Sequence, residues 1–591
     1  IQNRTSAVDT GAQTPQFFTL RPTTAYLASI SEVHTFGPTL MNEVRASYNR
    51  FNDRRNSPSI TFPGLDAFPT IGIQTDLNLL LGPFTDAPQA TTQNTYQLAD
   101  NVTWNLNRHD IKFGFDGRSA ISSMDFISRV RGDYRYSTLN RYLMDMAPDV
   151  LAQRNVGGLP YLGNAPAYYL YGNDNWKVTR KLTVNIGARW EYNGVSKSMK
   201  EQALNSLADV PGVLTFAAPK AQLMNFAPRV GFAYSPTKSG STSIRGGFGL
   251  AYDQIFDNIR NNVRPPQSIA NFTATSSSTA TGFLANGGIL PSALPTALTP
   301  ITARAQTTGW LPDQKLGYAV NWNFGIQHSF WRDYVVDIRY VGTHGVHLLS
   351  QTMLNRVAQV TPGRSLPVFV TAPSQDVLNA LPLTLTQLNA TSAAINPFAS
   401  AGFTNSAGIT AYTPQGNSKY HGLAVDITKR FSGQLMFKAG YTWSHLLDDS
   451  TAEVNTTTLS PRRPQDFANV RGEWASSALD RRHRLVATSV WDTPWFRSNH
   501  NWFMHNVLGG YSLSGTYTVE SPQYVTPQSV IDANLNGDNA TDRVVVNPNG
   551  VVGTGSDTKA LLNSAGQTVA YVALDPTAQF PRARAGVLPD S

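Results

Sequence analysis

The feature that most constrains this chain is a period of two in hydrophobicity, repeated in pairs of segments joined by short turns. Between Tyr96 and Leu106 one set of alternate positions reads Tyr96, Leu98, Asp100, Val102, Trp104, Leu106. The other set reads Gln97, Ala99, Asn101, Thr103, Asn105. Side chains on a strand alternate between its two faces, so this is a strand with one apolar and one polar face. A turn at Asn107-Arg108-His109-Asp110 follows, and the chain returns through Ile111, Phe113 and Phe115. The pattern recurs in Leu182, Val184, Ile186, Ala188, Trp190, Tyr192 and in Val230, Phe232, Tyr234 with Ile244, Phe248, Leu250, Tyr252. It recurs again in Tyr318 to Ile326 with Tyr334 to Tyr340, in Leu423 to Ile427 with Leu435 to Trp443, and in Tyr511 to Val519.

The connections alternate too. Turns within a hairpin are a few residues long. The stretches between hairpins (53–90, 119–165, 193–225, 254–316, 346–418 and 447–480) are long and rich in Asn, Ser, Thr, Pro and Gly, as loops are. Short turns at one end and long loops at the other are the mark of an outer-membrane barrel. The reason is the solvent: in lipid every backbone N–H and C=O must be paired within the protein, which only helices and closed barrels achieve. Strands of about 9–11 residues suffice to cross. Their outer face must be apolar, while the inner face stays wet. The polar faces here are too polar for the core of a sandwich, and Trp104, Trp190, Trp322 and Trp443 fall where aromatic girdles belong.

Composition narrows the field. Charged residues make up 15%, against about 25% in an ordinary soluble chain. The absence of Cys removes disulfides, thiolate nucleophiles and Cys-held metals. No apolar run reaches the roughly 18 residues that a spanning helix needs. The net charge of +8 is scattered, without the basic stripe and stacking aromatics of a nucleic-acid surface, so no nucleic-acid partner is expected. The chain begins at Ile1 with no leader and ends on a polar segment; it reads as cut from a longer protein.

Several segments resemble TonB-dependent outer-membrane receptors. Ala167-Tyr-Tyr-Leu-Tyr-Gly-Asn-Asp-Asn-Trp-Lys-Val-Thr179 with Leu182-Thr-Val-Asn-Ile-Gly-Ala-Arg-Trp-Glu-Tyr192 is similar to a strand pair of that family. Asn225 to Tyr234 and Ile244 to Gly249 are similar to the next pair. Tyr340-Val-Gly-Thr-His-Gly345, Tyr441-Thr-Trp-Ser444 and Asp480-Arg-Arg-His-Arg484 resemble its Oar-like branch, common in Acidobacteria-type genomes. The resemblance implies a 22-stranded antiparallel barrel with short periplasmic turns and long extracellular loops, closed inside by a plug. It implies uptake of a scarce extracellular ligand driven by a TonB–ExbB–ExbD complex, in an outer membrane of lipid and lipopolysaccharide. On this reading residues 1–591 are barrel domain truncated at both ends, without plug or TonB box, and its first and last strands are open edges.

Candidate chemistry is sparse. Asp532, Asn534, Asn536, Asp538 and Asp542 space oxygen ligands around Gly537 as a calcium loop does, but Arg543 stands where the closing Glu belongs. The same pattern suits an Asx-rich loop. No other cofactor is implied. Asp480 to Arg484 reads as the rim or lumen where a strand enters the membrane, because no nucleophile–base pairing is legible. The glycines at 246, 247 and 249 lie inside a strand and not in a phosphate loop. Arg141 to Met146 and Gln254 to Asn258 read as helical turns in loops. The chain is therefore expected to be a transporter and not an enzyme. The alternatives are a passive porin-like channel and a secreted adhesin or carbohydrate-binding β protein. Asp placed at Val184, Ile186 or Val336 is expected to face lipid, and Asn185→Asp the lumen.

Overall fold

The computed structural model describes residues 2–589 apart from 61–62, 157–159, 202–205, 256–258, 261–267, 272–278, 294–298, 332, 391–394, 406–407, 450–462 and 539–541. One 18-stranded sheet dominates it. Its long strands run in chain order: β1 (Gln2–Asp9), β2 (Thr19–Gly37), β3 (Leu40–Arg55), β4 (Gln89–Leu106) and β5 (His109–Phe126). They continue as β6 (Ala165–Trp176), β7 (Leu182–Asn193), β8 (Asn225–Tyr234), β9 (Thr242–Tyr252) and β10 (Tyr318–Phe330). The last are β11 (Tyr334–Met353), β12 (Thr410–Ser432), β13 (Leu435–Asp448), β14 (His483–Asp492) and β15 (Ser512–Glu520). Each pairs antiparallel with the next. Among the described residues nothing pairs β15 with β1, so the sheet has two free edges.

Turn chemistry makes the tight reversals. Asn107 takes φ 50 between β4 and β5, and Gly433 and Gln434 take φ 55 and 66 between β12 and β13. Asn and Gly accept this left-handed region readily.

The sheet wears its apolar side chains outward. Leu98, Ile186, Val230, Phe248, Phe324 and Ile338 are each 45–52% exposed. Among the described residues no second layer covers them. Two rows of outward aromatics bound this band, eight positions apart along a strand: Trp104 and Tyr96, Trp176 and Tyr168, Tyr234 and Phe226, Phe330 and Trp322. Eight residues rise about 26 Å along a strand, or about 20 Å in depth at a barrel tilt near 40°, close to the roughly 25 Å apolar band of an outer-membrane barrel. Gly342 shows how the upper row is seated. A Cβ there would lie 2.2 Å from the Trp322 ring, so only glycine lets the indole lie across β11, beside His421 at 5.8 Å between ring centroids.

The buried apolar clusters lie in the loops. Ile71, Tyr134, Tyr136 and Leu284 form one, beneath a five-stranded sheet built by Thr70–Ile73, Leu79–Leu81, Asp133–Tyr136, Leu151–Val156 and Ser268–Asn271. Met199, Ile259 and Leu311 centre a second, and Phe216, Phe403 and Ile409 a third. Leu366, Leu388 and Tyr571 hold residues beyond β15 against the loop after β11.

Four expectations need correction. Strands run to 23 residues in β12, because they continue past the apolar band into the loop layer; Trp322 and Trp443 therefore stand at the ends of the band and not at strand ends. The long connections are folded rather than plain loops. The β2–β3 hairpin, absent from the sequence reading, carries Glu32 and His34 in its outward row, which blurs the alternation. Connection 493–511 is long although it lies at the turn end, and it contains a helix, Trp502–Asn506. The outward rows also hold Asp100 and Asp174. Each has a donor, Asn42 Nδ2 for Asp100 and His109 Nδ1 at 2.7 Å for Asp174, as a carboxylate out of water requires.

Candidate lumen wall and loop cap

The face opposite the apolar rows is a ladder of charges and amides. On β5 and β6, Arg118 pairs with Asp116 at 2.7 Å, and Gln97 of β4 donates to the same carboxylate at 3.0 Å. The Tyr169 ring lies between two guanidinium groups, Arg118 at 5.2 Å and Arg189 at 4.5 Å, which its π face attracts. Its hydroxyl donates to Asn193 Oδ1 at 2.9 Å and accepts from Gln254. Arg189 also reaches Glu191 at 3.1 Å, and Tyr171 donates to Asn101 at 2.7 Å. Further round, Arg339 joins Asp337, at 3.3 Å, to Asp426 on the neighbouring strand. Thr343 donates to Asn321 at 2.9 Å. Such a wall suits a water-filled interior.

The loop layer is built to keep a shape. Asp133 is fully buried between Arg129 at 2.9 Å and Arg135 at 3.1 Å. Arg154 grips Asp66 at 2.6 Å; its hydrogen bonds hold that carboxyl below the ordinary range, since they favour the charged form. Thr138 caps the short helix Leu139–Leu143, which matches the helical turn expected near Arg141. Of the second expected turn, Gln254 and Ile255 are irregular and Phe256 to Asn258 lie outside the described residues.

Asp480 is buried at the rim above β14, accepting from the Leu446 amide at 3.0 Å, with His445 at 3.8 Å. Arg481 reaches Glu520 at 3.4 Å.

The acidic loop folds on itself. Asp532 accepts from the Asn536 and Gly537 amides at 2.9 and 2.7 Å. Asn534 and Asn536 both donate to the Gln465 carbonyl, at 2.7 and 3.2 Å. Asp538 holds Arg463 through both oxygens at 2.7 and 2.8 Å. Asp542 is fully buried and accepts from the Asn534 amide at 3.0 Å; burial pushes its carboxyl up to about 7. Residues 539–541 lie outside the described ones, and among those described no cluster of three or more His or acidic side chains is arranged to hold a metal. The oxygens therefore fit calcium only in part, because Arg463 already supplies the positive charge at Asp538. Nothing in the spacing could have shown Arg463 or Gln465 as partners, since both come from a distant loop.

No curated protein matches the chain in sequence. Its fold is similar to several solved structures. One is the outer membrane transporter YddB from Escherichia coli, 9% identical, covering 88% of this chain and 58% of that one, with a TM-score of 0.47. Another is the FrpB iron transporter from Neisseria meningitidis, 11% identical, covering 83% and 53%, with a TM-score of 0.40. A third is FpvA of P. aeruginosa bound to a pyoverdine–Fe complex, 12% identical, covering 87% and 47%, with a TM-score of 0.41. The chain spans about half the length of these proteins. Residues 1–587 match the family described as outer membrane beta barrel domain. With its greasy rows outward and its wet wall inward, the chain belongs to that family, and the outer membrane is where its sheet sits.

Proposed function

We propose that the chain is the barrel portion of a TonB-dependent transporter of the Oar-like branch, taking up a scarce extracellular ligand with energy from a TonB–ExbB–ExbD complex. The observation that carries this is the charged inner wall beneath a folded loop layer. A passive pore has no need of shaped lobes over its mouth, whereas a receptor must first hold its ligand. Among the described residues β1 to β15 leave two free edges, which lipid does not tolerate, and on this reading further strands close the cylinder. Barrels of about 22 strands have lumens that need a plug, while those of about 16–18 leave an open channel. The motifs at 167–192 and 225–249 support the family and those at 340–345, 441–444 and 480–484 the branch; all but the last lie mainly on strands of this sheet. Lipopolysaccharide surrounds the outer rows on this reading. An adhesin secreted into solution does not agree with outer-membrane placement.

The test uses the full-length protein. In planar bilayers it should give no steady conductance, and uptake in cells should vanish when TonB is deleted. A steady open conductance without a plug establishes the porin reading instead.

A further inference from the structure

One sector of the sheet is built without acidic residues. The adjacent strands β8, β9 and β10 contain no Asp or Glu, whereas every other strand from β1 to β15 contains at least one. The inward rows of β8 and β9 nevertheless carry Arg229 and Arg245, both exposed. Arg45, Arg118, Arg339 and Arg484 on other strands each meet a carboxylate. Arg229 and Arg245 meet none among the described residues; Arg245 donates from Nε to Ser243 Oγ at 2.9 Å. Glu191, on β7, is held by Arg189 at 3.1 Å.

Strand register sets these groups in a descending series. Arg189 stands opposite Ala227, Arg229 lies two residues further along β8, and Arg245 stands opposite Ala233, four residues beyond that. The steps are about 7 and 13 Å along the strand. The series therefore runs from the Tyr169 stack beneath the loops to the turn end. The floor between Arg229 and Arg245 is low. Asn185, Gly231, Gly247 and Asn323 form one cross-strand row there, with the two amides at its edges. The Arg229 stem lies across Gly249, its Cγ 3.5 Å from where a side chain on that residue would start.

We infer that this sector is a track for an anionic solute, one bearing carboxylate or phosphate groups, which passes from Arg189 to Arg229 to Arg245. The inference names the class of cargo and rests on the transport reading for it. Uncompensated cations between low-dielectric walls raise the local concentration of anions. Guanidinium forks match carboxylate and phosphate oxygens, and the flanking amides can donate to the same groups. Passage needs binding divided among sites, so that the solute both enters and leaves. Two bare arginines about 13 Å apart along the strand meet that need, and a closed ladder of ion pairs does not.

Thiol labelling of the full-length protein in detergent tests it, with Ala233→Cys beside Arg245 and Ala424→Cys beside the Arg339–Asp426 pair. Residues 1–591 hold no Cys of their own, and any outside them is replaced by serine. The probes are an anionic, a cationic and an uncharged methanethiosulfonate reagent. At low salt the ratio of anionic to cationic rates should be about tenfold higher at Ala233→Cys than at Ala424→Cys, and the difference should vanish near about 1 M salt. Adding Arg229→Gln/Arg245→Gln should bring the two ratios together, and Arg229→Lys/Arg245→Lys should keep them apart. Millimolar citrate should slow the uncharged reagent at Ala233→Cys severalfold, and spermidine should not. Heat-modifiable gel mobility confirms that each variant is folded. Equal ratios at the two positions, a ratio indifferent to the arginines, or protection by spermidine as strong as by citrate overturns the track. So does failure of every reagent to reach Ala233→Cys, the result expected if an acidic segment of the same protein fills it. The labelling ratio does not depend on TonB, so its failure is distinguishable from uptake that persists when TonB is deleted.

Discussion

Val230→Arg is the perturbation that bears most directly on the outward rows. Val230 is 48% exposed, and its cross-strand neighbours are Ile186 and Phe248. It lies midway between Tyr234 and Phe226, four residues from each, so about 13 Å along the strand and about 10 Å in depth separate it from either belt. A guanidinium there is too deep to reach water freely. Arginine at the midplane of a barrel costs about 2–4 kcal/mol, falling to about 0–1 near the belts. In equilibrium terms that is about a 30- to 1,000-fold loss. Asn185→Arg places the same group next door on the inner wall, opposite Gly231, and should cost little. Ile186 is a poorer probe, because Asp174 stands opposite it and would take up an introduced positive charge. The assay is reversible urea unfolding of the full-length protein in phosphatidylcholine vesicles, followed by tryptophan fluorescence. Val230→Arg should lower the midpoint well below that of Asn185→Arg, with Tyr234→Arg between them. Equal losses at 230 and 185 would refute the assignment of faces.

Gly342→Leu should expel the Trp322 ring and destabilise by about 1–3 kcal/mol as an overpacked site does. Gly515→Leu, with no atom within 4 Å of its added carbon, should be near neutral in the same unfolding assay. The Asp542 carboxyl titrates near 7 in the folded loop against an ordinary 3.8. The folded state therefore prefers the proton: the stability this lends is whole below about pH 4 and is lost as pH rises through 7. At 1.36 kcal/mol for each pH unit, about 4 kcal/mol is the ceiling. Rate-corrected hydrogen exchange at the Ala533 and Asn534 amides should rise over that window and stay flat in Asp542→Asn; parallel profiles would exclude the linkage. If the loop takes calcium, Arg463→Gln, which removes the guanidinium from Asp538, should bind the ion more tightly than the natural chain in a calorimetric titration. Equal affinity rules the loop out as a cation site.

The hairpins were legible because a strand between lipid and water must alternate, and nothing else in the chain imposes a period of two. Leu182 to Tyr192 shows it plainly, and so do Tyr318 to Ile326. The β2 strand did not, because Glu32 and His34 occupy outward positions and Leu27 and Val33 inward ones. The loop layer was opaque for a different reason. Its cores join residues far apart in the chain, Ile71 with Tyr134 and Leu284, Leu366 with Tyr571, and no local pattern announces such meetings. On the inner wall the residue types were legible, but the Arg118–Tyr169–Arg189 stack depends on the register between strands. The acidic loop was legible as an Asx-rich turn, while its dependence on Arg463 and Gln465 was not.

Placing the buried apolar clusters of the described residues above the band has a consequence for how such a chain can vary. Insertion depends on the alternate rows of the sheet, which tolerate few charges. The lobes are held by interiors of their own, so their outer surfaces can be rewritten without disturbing the cylinder beneath. Pressure from phage, antibodies or a changing food supply would then be absorbed in that upper storey, leaving the hull untouched.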